Sequence, residues 1–167
     1  MPKITLPDGN NIDFPNKVTG VEVAEKISGD VYKRQLIMSV DGELKDLYFE
    51  IDKDCSIKIF TAKDPEGLDA IRHDTTHIMA MAVQALFPGT KLAIGPAIKD
   101  GFYYDFYREE PFTPKDLEKI EIKMKEIVEK DEKTRREVWE REHTKKHYGE
   151  LGEKYKVELV DMIPEGD

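Results

Sequence analysis

Cysteine is almost missing: Cys55 is the single one in 167 residues, so no internal disulfide can form and a reducing compartment is the expected setting. No apolar run approaches the ~20 residues a membrane span needs. Met1-Pro2-Lys3-Ile4-Thr5-Leu6 also lacks the basic-then-apolar order of a signal peptide. The expectation is a soluble, cytoplasmic chain with no membrane partner. Positive charge is not in excess either: the net charge is −9, spread along the chain with no basic tail or stripe. Non-specific nucleic-acid binding draws on Lys and Arg neutralising phosphates. Composition therefore argues against a general DNA or RNA binder, while leaving room for a pocket that takes only the tip of an RNA. Internal repeats and low-complexity tracts are absent too. What is present is 39% hydrophobic residues and a 37% charged fraction with interleaved signs, which reads as packed cores under solvated faces. The length suits one medium domain or two small ones.

Residues 1–62 read as short strands around one helix. Ile4–Leu6 and Asn11–Phe14 flank the turn signal Pro7-Asp8-Gly9, which predicts a hairpin. Thr19-Gly20-Val21-Glu22 has the form of a capping box, and Val23, Ala24 and Ile27 give the helix that follows an apolar face. Ile37–Val40 and Leu44–Ile51 flank Asp41-Gly42-Glu43 as a second hairpin, and Ser56–Thr61 closes the module. The order ββαβββ predicts a ubiquitin-like β-grasp. Ser28–Gln35 fits this scheme poorly. One reading is an ordinary loop; the preferred one is a sequencing or assembly junction, because Val31-Tyr32-Lys33-Arg34-Gln35 is reminiscent of a translated adapter. Recovering the same codons on re-sequencing the locus removes that second reading.

Thr61-Ala62-Lys63-Asp64-Pro65-Glu66-Gly67 is polar and contains Pro and Gly, so a boundary is placed there and residues 63–167 form a second, α+β module. A long helix over Leu68–Phe87 is stopped by Pro88-Gly89. Strands follow at Leu92–Ile94 and Phe102–Tyr107, with Lys99-Asp100-Gly101 as a turn. Thr113-Pro114-Lys115-Asp116 starts another helix, with a capping Thr and Pro at its first position. Leu117, Ile120, Met124, Ile127 and Val128 mark its apolar face. A strand–helix–strand tail is expected to end with Val157–Val160.

The chemistry-bearing residues sit on the long helix. His73 and His77 are four residues apart, hence about 40° apart on one face. Leu68, Ile71, Ile78, Met79, Ala82 and Leu86 gather on the other side as a core stripe, and Gln84 extends the polar row. Paired imidazoles bind metals, move protons or hydrogen-bond a substrate; the plain alternative is two exposed helix residues. His73-Asp74-Thr75-Thr76-His77 differs from the zinc-protease pattern H-E-x-x-H, because the shorter Asp replaces the Glu that serves as base. A metal phosphohydrolase built on His73-Asp74 needs distant His and Asp ligands, and only His143 and His147 remain. That second pair reads as a solvated helix face, and Cys55 as a small packing residue.

Several runs follow one another closely: Arg72-His73-Asp74-Thr75-Thr76-His77, Leu86-Phe87-Pro88-Gly89-Thr90-Lys91, Ala93-Ile94-Gly95-Pro96 and Asp100-Gly101-Phe102-Tyr103-Tyr104-Asp105-Phe106. Together they closely resemble the editing domain of bacterial threonyl-tRNA synthetases. Ile4-Thr5-Leu6-Pro7-Asp8-Gly9 and Ser39-Val40-Asp41-Gly42-Glu43-Leu44 resemble the TGS module that precedes it, and Gly152-Glu153-Lys154-Tyr155-Lys156-Val157 matches the same family downstream. Alanyl-tRNA synthetase editing domains share a two-histidine helix but lack this leader.

The resemblance implies an N-terminal β-grasp (TGS) domain over 1–62 and an editing domain over 63–167. The implied activity is hydrolysis of serine wrongly esterified to threonine's tRNA. Serine lacks one methyl group, a difference that binding alone discriminates by only about 10–200-fold. Carried over position by position, His73 and Lys156 are the catalytic candidates, while His77 and Tyr104 contact substrate. Without the resemblance, Tyr104 reads as packing beside Phe102 and Phe106, and Lys156 as a surface lysine. The partner implied is the 3′ end of tRNA(Thr) carrying serine, bound by a homodimer when the enzyme is whole. No metal is implied for editing. ATP, magnesium and zinc belong to the family's aminoacylation core, which this chain lacks. The family's editing pocket is completed by a Cys-x-x-x-His-type motif, and nothing like it occurs before Asp167. The chain is therefore expected to be part of a longer threonine–tRNA ligase. A free-standing trans-editing hydrolase and a non-catalytic TGS RNA-binding protein are the alternatives.

Overall fold

Alternation of apolar and polar residues draws the short segments of the amino-terminal region into one sheet, as the computed structural model, which describes residues 1–164, shows. Strands β1 (Lys3–Thr5) and β2 (Asn11–Asp13) form the first hairpin, with Ile4 opposite Ile12. After β3 (Val18–Thr19) comes α1 (Gly20–Ile27), opened by the expected capping box between Thr19 and Glu22. Next are α2 (Gly29–Arg34), β4 (Ile37–Val40), β5 (Glu43–Lys45), β6 (Glu50–Ile51) and β7 (Cys55–Phe60). The five-stranded order is β2-β1-β7-β4-β5, with β1 and β7 parallel and the other neighbours antiparallel; β3 pairs with β6. Asp41 and Gly42 both have positive φ (50° and 88°), the conformation a two-residue turn needs to match strand twist. Ile4, Val18, Val23, Met38, Ile51, Cys55 and Ile57 pack as the core.

Two readings change here. Leu44–Ile51 is not one strand: the Asp46 carboxylate accepts from the Tyr48 N–H at 2.6 Å, and its carbonyl from Phe49, making a turn that separates β5 from β6. Ser28–Gln35 is not an ordinary loop. Ser28 caps α2 by accepting from the Val31 N–H, and Arg34 pairs with Asp30, yet the helix buries no side chain.

The chain divides into two compact units, one ending at Arg72 and the next beginning at His73. Helix α3 (Pro65–Leu86) is the one expected to carry the histidines. In the second unit, β8 (Lys91–Leu92) pairs with β11 (Phe106–Tyr107), and β9 (Ala97–Ile98) with β10 (Gly101–Phe102). Phe102–Tyr107 is thus interrupted rather than continuous, although Asp105 still exchanges backbone bonds with Ala93 and Ile94. Helix α4 (Pro114–Glu129) starts with the Thr113–Asp116 capping box. Ala82, Val83 and Ile120 are buried, surrounded by Met79, Leu86, Phe87, Phe106, Phe112, Met124 and Ile127. Leu68 and Ile71, expected in the core stripe, are each 38% exposed.

The tail departs furthest from expectation. Helices α5 (Arg141–Glu150) and α6 (Lys154–Met162) follow a stretch, 132–140, without regular structure. Val157–Val160 is helical because Gly152, at φ 70°, turns the chain and the Lys156 and Val157 N–H groups then bond the Glu153 carbonyl. Arg141 donates to the carbonyls of Val160, Ile163 and Pro164, and Lys145 pairs with Asp161 at 2.7 Å, holding α6 to α5. His143 and His147 do not face solvent alone. Their rings pack edge-on against Trp139, at 4.7 and 4.9 Å between centroids. No helix among the described residues is long and apolar enough to cross a membrane.

Candidate functional site

The helical repeat places His73 and His77 one turn apart, and their Nε2 atoms lie 3.0 Å from each other with the rings nearly perpendicular. At that separation one nitrogen donates a hydrogen bond and the other accepts it, with the tautomer setting which does which. Although His77 is exposed as a whole residue, local desolvation of its ring pushes its pKa down. His73 and the Lys156 ammonium add to that shift, and Asp74 opposes it. Beneath the pair, buried Thr76 donates from its hydroxyl to the His73 carbonyl at 2.7 Å. Two turns beyond His77, Gln84 Nε2 donates to Glu153 Oε1 at 2.7 Å. The polar row of α3 is therefore met by the start of α6.

Tyr104 stands in the gap between β10 and β11. Its ring stacks on Phe106 with centroids 4.7 Å apart and planes 19° apart. It also lies over Gly95 so closely that any Cβ there would overlap it, which is the physical demand behind glycine at that position. Burial raises the phenol pKa, and the Glu153 carboxylate raises it further.

Helix α6 supplies the remaining groups. Lys156 is half-buried, makes no ion pair with another described residue, and its ammonium lies within electrostatic reach of His77. Of the four residues singled out from the sequence, His73 and His77 touch. Lys156 lies within electrostatic reach of His77, and Tyr104 within reach of Glu153. Glu153 had been given no role, although it sits three residues before Lys156 in the same quoted run; helical spacing is the signal that would have found it. Among the described residues, no three His, Cys, Asp or Glu side chains gather closely enough to hold a metal ion. The set is thus an imidazole pair, a cation with no ion pair among the described residues and a phenol, the equipment of proton transfer and anion stabilisation.

Comparison with known proteins adds a second line. Residues 2–61 match the TGS domain. The whole chain is 64% identical to the threonine--tRNA ligase of Pelagibacter ubique, covering 26% of that protein. It is 55% identical to that of Thiobacillus denitrificans and 52% to that of Phenylobacterium zucineum, again over all of the chain, covering 26% and 25% of those proteins. The chain spans about a quarter of the length of these relatives.

Proposed function

We propose that this chain, similar over its whole length to the threonine--tRNA ligases, is part of such a ligase and that its second unit hydrolyses seryl-tRNA(Thr), correcting the product of an enzyme that joins threonine to tRNA with ATP. The observation that carries the reading is the His73–His77 contact with Lys156 within electrostatic reach of it.

Ester hydrolysis needs an oriented water, a place for negative charge on the carbonyl oxygen, and a proton for the departing ribose oxygen. His73 hydrogen-bonds the terminal ribose or the water. His77, held neutral by its surroundings, shapes the pocket and accepts from or donates to His73. Lys156 holds the water or offsets charge on the tetrahedral intermediate, and its bulk discriminates against threonine's extra methyl. Tyr104 orients the aminoacyl end through its hydroxyl. The ATP, magnesium and zinc chemistry of aminoacylation, and a homodimeric assembly, are proposed for the whole ligase.

The test is deacylation of purified seryl-tRNA(Thr), with threonyl-tRNA(Thr) as the control substrate. The whole ligase of which this unit is expected to be part should release serine faster than threonine, and His73→Ala should slow that release by about 10²-fold or more. Equal rates for the wild type and His73→Ala would overturn the assignment.

A further inference from the structure

Glu153 occupies the N-cap of α6, yet its side chain makes no capping hydrogen bond. Its Oε1 instead accepts from Gln84, 69 positions earlier, while Oε2 is buried with no partner. An orphaned, buried carboxylate oxygen is destabilising. A residue there only to finish a helix would be Ser, Thr, Asp or Asn. The arrangement favours placement of a group over stability.

What Glu153 places is visible in the attachments of α6. Its far end is tied to α5 through Arg141 and Lys145. Among the described residues, no side-chain hydrogen bond other than Gln84–Glu153 joins its first turn to α3. Lys156 lies in that same turn, its N–H bonded to the Glu153 carbonyl at 2.9 Å. On α3, Gln84 and His77 are seven residues apart, about 20° from alignment on one face. One row of α3 therefore receives the anchor and lies within electrostatic reach of the ammonium.

We propose that Glu153 is a positioning residue, whose bond to Gln84 fixes the first turn of α6 against α3 and so sets where the Lys156 ammonium stands against His77. Its consequence for catalysis rests on the hydrolase reading above; the geometric claim does not.

The experiment is an NMR titration of His77 in the whole chain. The charged and titratable groups acting on this ring are His73, Lys156 and Asp74, and of these the Lys156 ammonium is the one the proposal moves. Gln84→Leu and Gln84→Ala break the bond but keep the Glu153 charge. Both are expected to raise the His77 pKa as Lys156 withdraws, and Lys156→Ala to raise it likewise. Glu153→Gln keeps an acceptor for Gln84 and should not raise it. In parallel, Gln84→Leu is expected to lower kcat for seryl-tRNA(Thr) deacylation by on the order of 10–100-fold with little change in KM. An unchanged His77 titration in the Gln84 variants, or in Lys156→Ala, overturns the proposal. If the wild type deacylates nothing, the hydrolase reading falls and the titration still decides the positioning role.

Discussion

The two units of this chain are built to different rules. In the first, a five-stranded sheet closes on side chains with no solvent exposure at all, among them Ile4, Val23 and Met38. In the second, the strands are two residues long, and the core cluster among the described residues is Ala82, Val83 and Ile120, padded by partly covered methionines and phenylalanines, with Ala80, Leu92 and Val160 buried as well. Each candidate site residue lies in the second unit. Backbone ladders and full burial give a rigid scaffold, whereas a site needs polar groups held at a surface, where a closed core would strand them without partners.

That contrast can be broken by matched truncations. Ile4→Ala should cost about 4–5 kcal/mol, near the top of the range for such changes, because the closed sheet cannot collapse into the void. Ile120→Ala, bordered by adaptable Met79 and Met124, should cost about 2–3 kcal/mol. Urea denaturation of both variants measures the difference, and equal losses would dissolve the comparison. A smaller effect is expected from Gly95→Ala. The added methyl must displace the Tyr104 ring, costing about 1–3 kcal/mol and letting the phenol pKa fall toward its ordinary value, as ultraviolet titration would record.

The gentlest probe is pH. The His77 pKa is lower folded than unfolded, so the unfolded chain binds the extra proton first. Its stabilising contribution is present above the ordinary value of 6.5 and is lost as pH falls through the lower folded value. Thermal melts taken across that window should show stability declining with acidity, and His77→Gln should flatten the decline. A scaffold variant such as Ile4→Ala should leave that slope intact.

Much of the site was legible because helices fix neighbours locally. The capping boxes at Thr19 and Thr113 and the meeting of His73 with His77 depend on residues three or four apart, and each forms as its spacing demands. The resemblance that brought in Tyr104 and Lys156 rested on short runs, and could not show what those side chains touch. Errors fell where local preference was outvoted. A strand was expected at Val157–Val160, yet with no ladder partner there the segment took the helical bonds offered by Glu153. Leu44–Ile51 looked continuous until Asp46 bonded its own downstream backbone.

The amino-acid order by itself determined the helix starts, the two-residue turn at Asp41-Gly42 and the imidazole pair, because each closes within one turn of chain, where a handful of dihedral angles decides the geometry. Tertiary structure alone decided the parallel pairing of β1 with β7, the seat of Tyr104 over Gly95, and the bond from Gln84 to Glu153. These join segments with no fixed spacing along the chain. They form only when burial of apolar side chains elsewhere repays the entropy of bringing distant segments together.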